Sequence, residues 1–319
     1  MDKLYEGVAA RGHVCVGLDT APEYIPSGER GRAASDAEAV LAYNRAIIDA
    51  TFDSAACYKV QIAYYEELGL GGLKAYAETL RLIRGRGGLV IADIKRGDIA
   101  DTAARYAKAH FDGEFEADFV TLSPYMGMDS LDPWLAYADS KGKGAFVLMR
   151  TSNKGMRDFE YLELDIGETG HRNRRLYDAV GMKLSHLAAA RPGGCGYGAF
   201  GAVIGCTERE EAALIRERYG SLFFLIPGYG AQGGAADDAA LLLRDGNGGV
   251  VNASRSILKA WTAALPKNGE GPAGHGTADS PAEKVDNTFA AEAARQAAAD
   301  MRDAIRGAVK NRGREGNRA

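Results

Sequence analysis

Short runs of β-branched and apolar residues recur along the chain at 13–19, 56–61, 89–95, 118–123, 145–150, 200–205, 222–227 and 250–253. Longer stretches between them return their apolar positions with helical spacing, at 36–52, 73–84, 99–111, 174–190, 208–219 and 235–244. Eight strands alternating with helices predict an α/β fold, a parallel eight-stranded (β/α)8 or TIM barrel. A doubly wound open sheet is the alternative, but no G-x-G-x-x-G follows the first strand.

Local chemistry marks several helix starts. Ser35 with Glu38 and Thr207 with Glu210 have the spacing of capping boxes, and Asp132-Pro133 sets a carboxylate before a proline suited to a first helical turn. Two regions break the alternation. Residues 153–172 are too long for a minimal connection, and at the C-terminal end of a strand they read as an active-site loop or lid. Residues 266–281 are rich in Gly, Pro, Ser and charge and read as a linker. The expected organisation is a catalytic barrel over 1–262, a flexible linker over 263–286, a terminal helix packed on the barrel over 287–309, and a disordered basic tail over 310–319.

Composition narrows the function. A net charge of -4 with 26% charged residues leaves no basic footprint for nucleic acid, so an anionic substrate must be held by a few local cations. The first residues lack the basic and apolar regions of a signal peptide, and no apolar run approaches membrane-spanning length. Cys15, Cys57, Cys195 and Cys206 form no C-x-x-C pair; a reduced, cytoplasmic protein without a metal site is expected.

The third strand ends in Asp93-Ile-Lys95-Arg-Gly-Asp98. Alternation puts Asp93 and Lys95 on one face, which in a barrel points inward at the C-terminal mouth. A plain buried ion pair would account for that much, and Asp98 could merely cap the next helix. Lys59 lies in an otherwise apolar strand with Cys57 and Gln61 on its face, and Asp19 ends the first strand. Successive strands then end in Asp19, Lys59, and Asp93 with Lys95, a row of alternating charge that fits a catalytic network better than unrelated pairs.

After the seventh strand, Pro227-Gly-Tyr-Gly-Ala-Gln232-Gly-Gly234 could bring backbone amides and a helix N-terminus to an anion, although many such loops are plain turns. Arg255 follows the eighth strand and can grip a phosphate bidentately. Barrels often bind phosphate with these two loops.

From Leu18-Asp19 through Lys59-Val-Gln61, Asp93-Ile-Lys95-Arg-Gly-Asp98-Ile99-Ala-Asp-Thr102, Thr121-Leu-Ser-Pro-Tyr-Met-Gly127, Arg150-Thr-Ser152-Asn153, the Gly-rich loop and Arg255-Ser256, the chain resembles the orotidine 5′-monophosphate decarboxylase family, in its longer bacterial branch. The resemblance implies a homodimer with shared active sites that turns orotidine 5′-monophosphate into uridine 5′-monophosphate, the last step of pyrimidine biosynthesis, without a cofactor. It implies Lys95 as the proton donor to C6, with Asp93 in the same site and Asp98, Ile99 and Thr102 entering the partner's. Asp19 and Lys59 would bind ribose hydroxyls, Ser152 the pyrimidine, and Gln232 and Arg255 the phosphate.

Two other readings stand beside it. A sugar-phosphate decarboxylase or aldolase-like relative shares the Asp-x-Lys-x-x-Asp motif, but it holds Mg²⁺ with a carboxylate where this chain has Lys59. A non-catalytic nucleotide-phosphate-binding barrel would have little use for both lysines and all three carboxylates.

Overall fold

The computed structural model describes residues 1–164, 174–230, 232–265 and 285–316. All eight expected strands form, trimmed by a residue or two at most ends: β1 Val14–Gly17, β2 Cys57–Gln61, β3 Val90–Arg96, β4 Phe119–Leu122, β5 Gly144–Arg150, β6 Phe200–Ile204, β7 Phe224–Ile226 and β8 Gly249–Ala253. They close into one parallel barrel in chain order, β8 pairing β1 through Val14 opposite Val251 and Cys15 opposite Asn252. The doubly wound alternative is thereby excluded.

Alternation along the strands builds two apolar layers. Val14, Val16, Tyr58, Val60, Phe224 and Ile226 face outward into the shell of helices. Cys15, Cys57, Ile91, Phe119, Phe146, Phe223 and Val250 face inward. Leu4 and Val8 of the helix Asp2–Arg11 join this inner layer and plug the N-terminal end of the barrel. Higher on the same inward rows, apolar residues give way to polar ones: Cys57 to Lys59 and Gln61, Ile91 to Asp93, Phe119 to Thr121, Val250 to Asn252. The chemistry is therefore gathered at the C-terminal mouth, as the fold dictates.

The helices follow the expected periodicity, with Asp36–Thr51, Gly69–Gly85, Ala100–Phe111, Leu176–Ala190, Arg209–Arg218 and Ala236–Leu241 over the outer face. Ser35 caps its helix by accepting from the Glu38 amide at 3.2 Å. The other two starts differ from expectation. The helix after β6 begins at Arg209 without a side-chain cap, so Thr207 lies before it, and Asp132 is itself the first helical residue after Leu131.

Of the excursion 153–172, the described part holds the short helix Lys154–Asp158 and a strand Glu163–Leu164 that pairs antiparallel with Arg174–Arg175; its remainder, 165–172, lies outside the described residues. Most of the expected linker also lies outside them, and its first residues belong instead to the helix Ala260–Ala264. The terminal helix runs Asn287–Gly316, beyond the expected end at 309, so the basic tail is helical through 316 rather than unstructured. Lys310, Arg312 and Arg314 are good helix formers, and Arg312 donates to the Ala240 carbonyl. Ala290, Ala294, Ala298, Met301, Ile305 and Ala308 form its buried stripe, which packs on Asp36–Thr51, Ala236–Leu241 and Ala260–Ala264. No described helix is long and apolar enough to cross a membrane.

Candidate active site

Charged groups at the mouth form one connected string. The Lys59 ammonium donates to Asp19 Oδ1 and to Asp93 Oδ2, at 2.9 Å each. Lys95 Nζ donates to Asp93 Oδ1 at 2.6 Å. Asp19 is held from its other side by Ser254 Oγ at 2.8 Å, and Ser254 in turn stands 3.5 Å from Asn252 Nδ2. Gly17 is required beneath it, because a Cβ there would lie 2.0 Å from Ser254 Oγ.

Lys59 and Asp93 are buried, so their charges survive only because each is paired with opposite charges. Burial alone would lower the pKa of Lys59, but the carboxylates of Asp19 and Asp93 outweigh it and raise the ammonium well above the ordinary lysine range. Burial alone would raise that of Asp93, but Lys59 and Lys95 outweigh it and hold the carboxyl well below the ordinary range. Lys95 differs: its side chain is 47% exposed and faces open space at the mouth.

The strand that carries Asp93 and Lys95 is irregular at that point. Ala92 pairs with Val120 and Arg96 with Leu122, so Asp93, Ile94 and Lys95 lie opposite Thr121 alone. This is a bulge, a device that re-aims side chains beside active sites. Lys95 takes φ 45° within it, a left-handed conformation that disfavours a residue with a Cβ. Simple alternation placed the two charges correctly on one face but did not disclose the bulge.

The cavity above the string has a volume of about 440 Å³ and is lined by Asp19, Lys59, Asp93, Lys95, Ser152, Gln232 and Arg255, among others. Seven of the expected site residues are thus brought together. Asp98, Ile99 and Thr102 are not in this chain's cavity: Asp98 is half-buried at the rim, and Ile99 and Thr102 are exposed. Asp98 accepts from the Ile99 amide at 2.8 Å while the helix begins at Ala100.

The Gly-rich loop closes partly on itself. Gly230 donates to the Gly234 carbonyl, Gly233 to that of Gly230, and Gly234 to that of Gly228, so these amides are spent within the loop. At the following helix, the Ala235 amide is taken by Asp238 Oδ2 at 2.9 Å. The glycines serve to shape the turn: Gly228 has φ 103°, and a Cβ there would press on Gln232 Oε1 at 3.3 Å. Beside the loop, Arg255 is exposed and makes no ion pair among the described residues.

Sequence reasoning gave no role to Thr121, Ser254, Asn252, Tyr24, Tyr64 or Tyr229, all of which line the cavity. Thr121, Asn252 and Ser254 had a signal, since each is a polar residue on the inward register of a strand or its extension. Tyr24 and Tyr64 arrive from connections and had none.

The family model described as Orotidine 5′-phosphate decarboxylase / HUMPS family matches residues 12–264. The orotidine 5′-phosphate decarboxylase of Clostridium perfringens (strain 13 / Type A) is 51% identical over 308 residues, covering 97% of this chain and 98% of that protein. That of Clostridium kluyveri is 54% identical over 261 residues, 82% of this chain and 88% of its own. Among solved structures, Leishmania donovani OMP decarboxylase superposes with a TM-score of 0.70 at 31% identity, over 97% of each chain. With the charged string at the mouth of its barrel and relatives matched over nearly their full length, this chain belongs to the orotidine 5′-phosphate decarboxylase / HUMPS family.

Proposed function

We propose that this chain decarboxylates orotidine 5′-monophosphate to uridine 5′-monophosphate, the closing step of pyrimidine synthesis, with Lys95 as the proton donor. The observation that carries the reading is the string Asp19–Lys59–Asp93–Lys95, in which three buried or half-buried groups hold one exposed ammonium at the cavity. Loss of CO₂ leaves a carbanion at C6 with no adjacent carbonyl to accept the electrons. An ammonium fixed beside C6 stabilises that charge and then passes its proton to the same carbon, so one C–C bond breaks and one C–H bond forms. Asp93 keeps Lys95 oriented, Asp19 and Lys59 meet the ribose hydroxyls, Ser152 the pyrimidine, and Gln232 and Arg255 the phosphate. Phosphate binding remote from C6 supplies energy for ordering the site.

The site is completed across a homodimer, with Asp98, Ile99 and Thr102 reaching the partner's cavity. Two features support this. These residues lie outside their own cavity, and Ile99, Tyr125 and Met126 are exposed apolar residues on loops that approach each other at Gly97 and Ser123. The setting is the cytoplasm, in keeping with free Cys15, Cys57 and Cys206 buried in apolar surroundings.

The Mg²⁺-dependent sugar-phosphate reading is disfavoured by Lys59, whose ammonium bridges Asp19 and Asp93 where a divalent cation would need those carboxylates. The test is the fall in absorbance of orotidine 5′-monophosphate on adding EDTA-treated protein, with a Lys95→Ala variant alongside. Turnover that survives chelation and vanishes in the variant is expected. Loss of activity on chelation, or near-normal turnover by Lys95→Ala, overturns the reading.

A further inference from the structure

We infer that Thr121 is a positioning residue for the proton donor, setting the backbone of Lys95 and the carboxylate of Asp93 with a single hydroxyl. The bulge in β3 leaves the amides of Ile94 and Lys95 without ladder partners. Both donate to Thr121 Oγ1, at 3.0 Å each. The same hydroxyl donates to Asp93 Oδ1 at 2.8 Å, the oxygen that also receives Lys95 Nζ. A threonine hydroxyl has one proton and two lone pairs, and here every one is used. Thr121 is 1% exposed, so water does not replace it.

This arrangement explains how Lys95 holds φ 45°. A left-handed backbone at a residue with a Cβ persists only where its surroundings over-determine it. Thr121 supplies that determination from the neighbouring strand, with its hydroxyl directed at the one place where three residues face it. Deleting the hydroxyl frees two amides and one lone pair of Asp93 together, and Lys95 can relax to an ordinary backbone with its ammonium displaced. The ribose, pyrimidine and phosphate contacts belong to other residues, so the loss falls on the chemical step and not on binding.

The inference rests on the decarboxylase reading, and the experiment separates the two. Thr121→Val removes the hydroxyl at nearly constant volume, Thr121→Ser retains it, and Thr121→Ala removes it together with the methyl. With orotidine 5′-monophosphate, Thr121→Val is expected to lose roughly 10- to 100-fold in kcat with KM within about threefold, while Thr121→Ser stays near wild type. Exchange of the C6 hydrogen of uridine 5′-monophosphate with deuterated water, the reverse of the protonation step, falls in the same proportion. If wild type itself is inactive, the decarboxylase reading fails. If wild type turns over, this inference alone is overturned by a folded Thr121→Val that keeps its kcat, by a change confined to KM, or by Thr121→Ser falling as far as Thr121→Val. Should Thr121→Val not fold, Thr121→Ala is judged by the same criteria, and failure of both to fold makes the hydroxyl a folding element and overturns it too.

Discussion

Replacing Lys59 by methionine keeps the aliphatic stem and deletes the ammonium that joins Asp19 to Asp93 through two 2.9 Å contacts. The two carboxylates suffer unequally. Asp19 has a 20% exposed side chain and retains Ser254 and solvent, whereas Asp93 is only 7% exposed and retains Lys95 and Thr121. Breaking a buried pair by removing one partner costs about 3–5 kcal/mol, and the partners that Asp93 keeps place Lys59→Met near the lower end, about 3 kcal/mol. The loss depends on pH in a direction fixed by Asp93. In the wild type its carboxyl pKa is depressed, because the two lysines outweigh burial, so its stabilising contribution is present above the unfolded value and lost as pH falls through the folded one. In the variant, burial remains and one lysine is gone, so the carboxyl pKa rises. The deficit relative to wild type is then full at neutral pH and shrinks as acid protonates the carboxylate. Urea denaturation of both proteins at equal protomer concentration, at about pH 7.5 and about pH 4.5, reads this directly. A deficit below about 1 kcal/mol at neutral pH, or one that is larger at the lower pH, refutes the electrostatic reasoning.

Mixing Lys95→Ala and Asp98→Ala homodimers is expected to restore activity, because a hybrid carries one site with both residues intact; subunit exchange without recovery counts against placing Asp98 in the partner's cavity. Arg255→Ala is expected to weaken binding of the nucleotide by roughly 10- to 100-fold and to leave binding of the nucleoside unchanged, which calorimetry on the two ligands would check. Burial, with a smaller push from Arg96, lowers His110 to about 4, so the folded state resists its protonation. Stability should therefore fall as pH drops from about 6.5 toward 4, by at most about 3 kcal/mol from this residue, with buried His13 shifted in the same direction. A His110→Gln variant whose urea midpoint declines as steeply as the wild type's over that range would remove His110 as the cause.

The barrel was legible because its strands are short apolar runs bounded by polar connections, and because a charge in such a run is conspicuous. Lys59 stands among Tyr58, Val60 and Ile62, so its inward position followed from the register alone. Less legible was anything that depends on a partner distant in sequence. The bulge at Asp93–Lys95 follows from the pairing of β3 with β4, and nothing within β3 signals it. The plug Asp2–Arg11 buries only Leu4, Gly7 and Val8, too few apolar positions to mark its face. The capping spacing at Thr207 misled because the chain between Cys206 and Glu208 is taken up by loop contacts, with Thr207 Oγ1 near the Ser152 carbonyl at 3.5 Å. The Gly-rich loop was correctly placed at the cavity, but its composition does not distinguish amides aimed outward from amides closed on one another.

The ring of strands has a seam, where β8 meets β1, and the Ser254–Asp19 hydrogen bond lies directly across it. During synthesis, β1 through β7 can emerge and pair in succession while that edge stays unmatched. The helix Asn287–Gly316 then packs on Asp36–Thr51 from one side of the seam and on Arg255–Leu258 from the other, and locks it. The hydrogen bond from Ser254 that backs Asp19 is thus made by the same late event that ends the exposure of two sheet edges. A nascent or proteolytically opened chain would hold the charged residues of β1 to β3 yet leave Asp19 to Lys59 alone, without the Ser254 hydroxyl across the seam.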